Sequence, residues 1–203
     1  MLQILNHSFV IHGNAISRLS RTKEIQTDKL LLKTPFEILN SLPNEQLVAL
    51  QGETRVSVLK VPLSLSQACP LLLPIGSDIY TQSRILKIDW HPASQVHLYV
   101  LSSDGLLRLF NVSANTNEPE LTLNLTTRSQ KVNNVSSGLN RRGMFSSDDL
   151  EREVVSFVTG KGPGWTQFTV YGILKSGAIV SVCPVMPVSR YRFLSEKHSS
   201  PAP

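Results

Sequence analysis

The segment from residue 85 to residue 112 has the clearest strand pattern in this chain and reads ILKIDWHPASQVHLYVLSSDGLLRLFNV. It contains three short runs rich in β-branched, aromatic and leucine residues, which begin at Ile85, His97 and Leu106. Pro92 ends the first run, and the dipeptide Asp104-Gly105 separates the second from the third. Because Asp-Gly favours a tight hairpin turn and proline interrupts a strand, the segment predicts three consecutive antiparallel strands.

The order strand, Trp-His-Pro, strand, Asp-Gly, strand is typical of a WD-like β-propeller blade, although the closing Trp-Asp dipeptide is missing. In this interpretation the run from Ile85 is the innermost strand of the blade. The segment Glu120–Thr126 alternates apolar and polar residues and is predicted to be the half-exposed outer strand. The predicted fold class is therefore all-β.

Similar hairpins recur elsewhere in the chain, at residues 47–59 and 170–182. Their turn glycines, Gly52, Gly105 and Gly177, are 53 and 72 residues apart (105 − 52 and 177 − 105), against roughly 40 to 50 for a plain blade. The second spacing is long because it contains an insertion at residues 127–152. The repeats predict a partial β-propeller of about three to four blades, and a β-sandwich built from unrelated hairpins is the alternative.

The remaining strands are less regular. We expect strands at Leu30–Leu32 and Phe36–Leu39, a turn that begins at Pro43, and an edge strand in the proline-rich residues 63–79. After the insertion, Val154–Val158 is predicted to be an inner strand. The predicted domain organisation is a poorly defined segment at 1–28, a partial propeller at 29–194 with a flexible insertion at 127–152, and a disordered tail at 195–203.

Composition narrows the class of protein. With 203 residues, of which 41% are hydrophobic and 17% charged, the chain can bury one sizeable core. No apolar run approaches the roughly 20 residues of a membrane helix, so membrane insertion is not expected. The start has no secretory pattern, and Cys69 and Cys183 are too few for a disulfide framework, so we expect reduced thiols and a cytosolic or nuclear protein.

Sequence signals for chemistry are weak. The net charge is +5, but the basic residues are scattered and do not alternate with aromatic ones, so direct binding of nucleic acid is not expected. Gly160-Lys161-Gly162 lacks the phosphate-loop spacing, no Ser or Thr follows the lysine, and a strand is expected next instead of a helix. No cofactor is therefore predicted. The histidines show no metal-binding spacing and no nucleophile motif occurs, so neither a metal site nor an enzyme is predicted.

Two polar residues, Asp89 and His91, precede Pro92 at alternate positions. Asp89 and His91 would share a face of an unbroken strand and could form a catalytic pair. Because no nucleophile is positioned to use them, we expect them instead to stabilise the turn by hydrogen bonds. Trp90 is expected to pack between blades.

A resemblance to a known family rests on stretches that occur in a fixed order. These are residues 88–92 (IDWHP), 101–110 (LSSDGLLRLF), 148–157 (DDLEREVVSF), 160–165 (GKGPGW), 171–177 (YGILKSG) and 183–187 (CPVMP). In this order they resemble the N-terminal propeller of the eighty-two/eighty-eight-kilodalton nucleoporin family. The resemblance covers residues 85–187 well and residues 35–80 loosely.

The resemblance implies a structural scaffold of the nuclear pore complex in the nucleus. In that family a seven-bladed propeller lies on the cytoplasmic side of the pore, anchors Phe-Gly-repeat (FG) nucleoporins and supports mRNA export and protein transport. The implied partners are the autoproteolytic domain of one FG nucleoporin and a helical tail of another. The family's coiled coil is absent here, so we expect a fragment of a larger propeller that is marginally stable or prone to aggregate. A generic WD-like adaptor of another complex is the alternative, and a propeller hydrolase ranks last.

Loop length and expected exposure identify the candidate partner-binding residues. In the insertion these are Phe145, Asp148 and Asp149; in the following loop they are Lys161 and Trp165. Trp165 either anchors a partner or packs under its own loop.

Overall fold

The structure is a computed structural model in which the described residues form fifteen strands and one 3₁₀ helix. Described are residues 2–4, 7–12, 15–19, 32–60, 71–80, 82–126 and 152–188, with side chains from Thr34 onward. The strands are β1 (Leu2–Ile4), β2 (His7–His12), β3 (Ala15–Leu19), β4 (Leu32–Lys33), β5 (Asn40–Asn44), β6 (Leu47–Gln51), β7 (Val56–Lys60), β8 (Leu71–Ile75), β9 (Ile85–Trp90), β10 (His97–Ser102), β11 (Leu106–Asn111), β12 (Leu121–Asn124), β13 (Val154–Thr159), β14 (Val170–Leu174) and β15 (Ile179–Val182); the 3₁₀ helix is Gly164–Phe168.

The strands form four antiparallel sheets in which neighbours in sequence are neighbours in space. The sheet orders are β1-β2-β3-β4, β5-β6-β7-β8, β9-β10-β11-β12 and β13-β14-β15, and we number the sheets one to four. The fourth sheet has three strands among the described residues. Four consecutive meanders of this kind agree with the predicted three to four blades.

The predictions for the third sheet are confirmed. Strands β9, β10 and β11 pair in the expected order, and β12 forms the outer edge opposite β9. Gly105 in the β10–β11 turn has φ +77°, a left-handed conformation that strongly favours glycine. The other predicted hairpins are also present as β6–β7 and β14–β15. The turn glycines therefore lie in the same hairpin of three successive sheets.

The β10–β11 turn is stabilised by an ion pair. Arg108 donates to a carboxylate oxygen of Asp104 at 2.7 Å, and to the hydroxyl of Ser102 at 2.6 Å. Asp104 also accepts bonds from the Ser102 hydroxyl and the Leu106 N–H. Partial burial by itself would raise the pKa of the Asp104 carboxyl, but these hydrogen bonds and the charge of Arg108 outweigh burial and hold the pKa below its usual value.

Some predictions for the first half of the chain are wrong. Phe36–Leu39 is not a strand, and the turn expected from Pro43 begins later, because β5 extends through Asn44. Pro43 is tolerated there since β5 is an edge strand, where a missing N–H need not break the ladder. The edge strand expected within residues 63–79 is confirmed as β8, which contains Pro74.

The N-terminal residues contain strands that the sequence interpretation did not assign. β1, β2 and β3 all lie within residues 1–28 and belong to the first sheet. The sequence between β2 and β3 is Gly13-Asn14, a dipeptide that favours two-residue hairpins. This signal could have revealed the hairpin. Residues 127–151 of the predicted insertion and the predicted tail at 195–203 lie outside the described residues.

The core lies between the sheets. The first inter-sheet cluster joins the second and third sheets, and the second inter-sheet cluster joins the third and fourth. β10 contributes to both, because alternate residues point to opposite faces: Leu98 and Val100 to the first cluster, Tyr99 and Leu101 to the second. All six residues of β10 are buried. This explains the apolar run Leu98–Leu101 in its middle, which is typical of strands covered on both faces.

Candidate partner-binding surface

The loop between β13 and β14 holds two of the predicted partner-binding residues, and its shape depends on glycines. A Cβ on Gly160 would lie 2.0 Å from the backbone oxygen of Thr166, so a side chain cannot be accommodated without movement of the backbone. Gly164 has φ +72° and begins the 3₁₀ helix. The element after Gly160-Lys161-Gly162 is therefore a short 3₁₀ helix, which corrects the expectation of a strand.

Hydrogen bonds close this loop on itself. The Thr166 hydroxyl donates to the Pro163 carbonyl at 2.9 Å, and the Thr169 hydroxyl donates to the Trp165 carbonyl at 3.0 Å. At its base, the Gly160 N–H donates to the Thr169 carbonyl at 2.9 Å. The carbonyls of Pro163, Trp165 and Thr169 are thus bonded within the loop, and residues 161–166 are exposed.

Trp165 is the largest exposed side chain of the loop. Its exposed fraction is 64%, which excludes the alternative that it packs under its own loop. One ring edge contacts Phe168, with ring centroids 6.3 Å apart, and Phe168 lies 6.0 Å from the His91 ring in the third sheet. An exposed aromatic ring that is supported by neighbouring rings is the kind of residue that anchors protein partners.

The other predicted residues divide into two groups. Lys161 is exposed on the same loop as Trp165. Phe145, Asp148 and Asp149 lie outside the described residues, so their role stays a prediction.

His91 stabilises the turn, as expected. It is buried, its Nδ1 accepts the Ala93 N–H at 3.0 Å, and its Nε2 lies 3.2 Å from the Val185 carbonyl. Since a carbonyl can only accept, Nε2 carries the proton and the imidazole is neutral. The ring also stacks on Tyr99, with centroids 5.5 Å apart. These contacts connect the third sheet to the segment that follows the fourth.

Asp89 and Trp90 also have structural contacts. A carboxylate oxygen of Asp89 accepts the Trp90 N–H at 2.9 Å, which holds the carboxylate against its own backbone. The Trp90 indole N–H donates to the Leu42 carbonyl at 2.9 Å and so connects the second and third sheets. Packing of Trp90 between sheets is confirmed.

The structure contains a second polar cluster, which the sequence did not predict. The His97 Nε2 lies 3.1 Å from a Glu120 carboxylate oxygen, and the Ser94 hydroxyl lies 2.6 Å from Nδ1. Asn111 donates to the other Glu120 oxygen at 2.9 Å. The four residues are spread over 27 positions of the sequence (120 − 94 + 1). They become neighbours only once β10 has paired with β11 and the turn after β11 has formed. No spacing rule would reveal them.

Three connections make up what we call the loop surface. It consists of the Glu45–Gln46 turn, the Pro92–Val96 link and the Gly160–Thr169 loop, each joining the first and second strands of a sheet. The Asn44 side chain donates to the Gln95 carbonyl at 2.9 Å, and Gln95 donates in turn to Glu45. The loops of the second and third sheets are therefore in contact.

The loop of the fourth sheet meets the third sheet beneath the surface, where Phe168 lies against the buried His91 ring. A shallow depression lies over the Pro92–Val96 link, and a groove lined by Leu47, Lys60 and Leu71 lies beside it between the second and third sheets. The concave, partly apolar ground therefore belongs to the second and third sheets, and the aromatic anchor Trp165 to the loop of the fourth. This arrangement is suited to binding a protein partner.

Within the ranges that the structure describes, no group of three or more His, Cys, Asp and Glu residues could hold a metal ion. In the same ranges no helix has the length and apolarity to cross a membrane.

Comparison with known proteins gives a similarity in sequence. Over 120 residues the chain is 33% identical to the nuclear pore complex protein NUP88 of Arabidopsis thaliana. The matched part is 57% of this chain but 13% of that protein, so the chain spans a small share of its relative's length. No known protein-family profile matches the chain. The similarity supports a link to nucleoporins.

Comparison of structures identifies the fold. The chain resembles the crystal structure of the β-propeller domain of Cps50 (Swd1) from Myceliophteria thermophila, with a TM-score of 0.51 at 8% identity. The superposition covers 88% of this chain and 47% of that domain. At this identity the likeness concerns fold alone. The four sheets therefore have the arrangement of β-propeller blades, which confirms the predicted fold class.

Proposed function

We propose that this chain is a non-catalytic scaffold component of the nuclear pore complex. The similarity to NUP88 carries the proposal, since it is a similarity in sequence and not only in fold. The propeller architecture supports a scaffold, because propellers present loops from several blades on one surface. The exposed Trp165 on the loop surface supplies an anchor of the kind that protein partners use.

In this function the loop surface holds other nucleoporins at the cytoplasmic side of the pore. The partners are the autoproteolytic domain of one FG nucleoporin and a helical tail segment of another, and the scaffold serves mRNA export and protein transport. These finer statements rest on the family resemblance of residues 85–187. The exposed Lys161 and Trp165 are the first described residues to test for partner contact.

Proximity labelling in cells tests the proposal. The full chain is fused to a labelling enzyme, expressed in cells of its source organism, and the labelled proteins are identified by mass spectrometry. We expect nucleoporins, FG nucleoporins among them, to be enriched over a fusion of the labelling enzyme alone. Enrichment of an unrelated complex without nucleoporins would refute the pore assignment.

A matched pair of variants tests the surface separately. Trp165→Ala should lower recovery of the main partner at least about fivefold, because aromatic anchors often contribute more than 1 kcal/mol to binding. Leu39→Ala removes another exposed apolar side chain, before β5 and away from these loops and the groove, and should leave recovery unchanged. If nucleoporins are enriched but both variants bind equally well, the function holds and the docking residues lie elsewhere.

The alternative is a propeller adaptor in another complex. The fold alone favours it, because propellers serve many unrelated assemblies. The same labelling experiment separates the two functions, since an adaptor would enrich the subunits of its own complex.

A further inference from the structure

The segment that follows the fourth sheet returns to the third. Residues 183–188 come directly after β15. Within them, Val185 is 0% exposed and belongs to the second inter-sheet cluster, and Met186 is 4% exposed. The segment therefore lies against the core between the third and fourth sheets. We call residues 183–188 the exit segment.

Val185 binds to both of these sheets through its backbone. Its N–H donates to the Phe168 carbonyl, in the Gly160–Thr169 loop, at 2.7 Å. Its carbonyl oxygen lies 3.2 Å from Nε2 of His91, directly after β9, and accepts the proton that Nε2 carries. One residue of the exit segment thus joins the loop of the fourth sheet to the third sheet.

The exit segment also contacts the 3₁₀ helix that carries Trp165. The Cys183 thiol lies 3.9 Å from the Trp165 carbonyl, and the Phe168 ring contacts the rings of Trp165 and His91. None of the five residues of this helix is buried. A single turn of 3₁₀ helix has weak hydrogen bonds and, without buried side chains, opens readily. The orientation of Trp165 therefore depends on the contacts that the helix makes with its surroundings.

His91 links the exit segment to a second loop of the loop surface. Its Nδ1 accepts the Ala93 N–H at 3.0 Å, so one imidazole binds both the Pro92–Val96 link and Val185. His91 is 2% exposed, and hydrogen bonds that are shielded from water in this way are costly to break. The two nitrogens of one buried ring therefore hold the two loops together.

We propose that His91 and the exit segment position Trp165 for contact with a partner. The proposal rests on the proposed function, in which Trp165 is the anchor of the loop surface. Because His91 is buried, it acts through Val185 and Phe168, which hold the 3₁₀ helix in place. A side chain that is oriented before binding loses less conformational freedom when the partner docks, so the affinity is higher. His91 is thus a positioning residue, and Trp165 is the contact residue.

Two substitutions separate the roles of the two ring nitrogens. His91→Gln keeps an N–H donor at about the reach of Nε2 but removes the acceptor at Nδ1. His91→Asn keeps an acceptor near Nδ1 but removes the donor to Val185. His91→Asn should therefore release the exit segment, whereas His91→Gln should retain its attachment. A role of His91 that is limited to the turn at Pro92 predicts the reverse order.

The first measurement follows the anchor itself in the purified full chain. Labelling with fluorotryptophan gives a fluorine NMR resonance for each of the two tryptophans, and Trp165→Phe assigns them. We expect His91→Asn to shift the Trp165 resonance and to accelerate amide exchange at Val185 and Gly160 about tenfold, because the loss of a buried hydrogen bond makes local opening easier. His91→Gln should leave both close to those of the parent.

Gln51→Asn is the matched control. Gln51 is 7% exposed and donates to the Ile85 carbonyl at 3.2 Å, so it makes the same kind of buried bond between the second and third sheets. The shorter side chain should reduce thermal stability but leave the Trp165 resonance unchanged. Phe168→Leu is a second test variant: it leaves both bonds of His91 in place, removes the ring that supports Trp165, and should shift the Trp165 resonance as His91→Asn does.

Partner recovery completes the test. In the proximity-labelling experiment, His91→Asn should lower recovery of nucleoporins about threefold, less than Trp165→Ala, since the anchor remains but is no longer oriented in advance. An unchanged Trp165 resonance in His91→Asn and Phe168→Leu would overturn the proposal, and so would a larger effect of His91→Gln than of His91→Asn. Equal recovery with His91→Asn and the parent would overturn the role in binding. If even the parent recovers no nucleoporins, the proposed function fails, while the fluorine and exchange data still decide whether His91 positions Trp165.

Discussion

Among single residues, Asp104 shows how side-chain contacts stabilise a turn that is predictable from sequence. Asp104-Gly105 sets the hairpin, while the carboxylate binds the nearly buried Arg108 guanidinium. The guanidinium also lies over the Tyr80 ring, 5.5 Å from its centroid. Burial raises the pKa of the Tyr80 hydroxyl well above its usual value, so this side chain stays neutral. One carboxylate therefore supports both the turn and the packing of Arg108 against the first inter-sheet cluster.

Replacement of this carboxylate should destabilise the protein in a pH-dependent way. Asp104→Asn should lower the free energy of unfolding at pH 7 by roughly 1 to 2 kcal/mol, since a charge-assisted hydrogen bond to a partly exposed group is lost. The pKa of Asp104 is lowered by folding, so its contribution is present above the unfolded pKa of about 3.9 and is lost as pH falls through the lower folded pKa. Urea unfolding at pH 7 and pH 3 should show the variant and the parent converging at the lower pH. A constant difference would contradict this account.

At the level of elements, local chemistry decides which strands the sequence can predict. β9, β10 and β11 were predictable because Pro92 and Asp104-Gly105 mark their ends within a few residues. β5 was misassigned because Pro43 resembles a turn residue, and only the position of β5 at a sheet edge makes it acceptable in a strand.

Contacts between elements are harder to predict than the elements themselves. The candidate loop was found from its length and its tryptophan, but the support of Trp165 by Phe168 and His91 depends on packing between two sheets. The polar cluster around Glu120 is hidden for the same reason. Sequence periodicity predicts which residues of a strand face another element, but it does not predict which element they contact.

The Gly160–Thr169 loop allows a test with two matched glycines. Gly160→Ala should disrupt the loop, because its Cβ would meet the Thr166 backbone at 2.0 Å. Gly164→Ala meets nothing within 4 Å but must adopt φ +72°, which costs about 1 to 2 kcal/mol. Thermal unfolding should therefore show a larger loss for Gly160→Ala. Equal losses would mean that left-handed strain, and not the close backbone contact, controls the loop.

For the molecule as a whole, we expect the stability of each sheet to depend on how many of its faces are covered by other sheets. Each sheet is stabilised mainly by its neighbours, so a sheet covered on both faces should open less often than one covered on a single face. β10 is paired on both sides and buried on both faces, whereas β15 is an edge strand with the exposed Ile179.

Native-state hydrogen exchange measures this gradient directly. We expect the β10 amides to exchange most slowly among the described strands, and those of β15 several orders of magnitude faster. The reason is that the free energy of local opening ranges from nearly zero up to the full free energy of unfolding. Leu101→Ala, which removes a buried side chain from the second inter-sheet cluster and should cost about 2 to 5 kcal/mol, should accelerate exchange in β13 and β14 more than in β6 and β7. Leu98→Ala is the matched substitution in the first cluster and should show the opposite bias. If both variants accelerated exchange equally in all sheets, the sheets would unfold as a single cooperative unit, and the stability of the propeller would not be a sum over its interfaces.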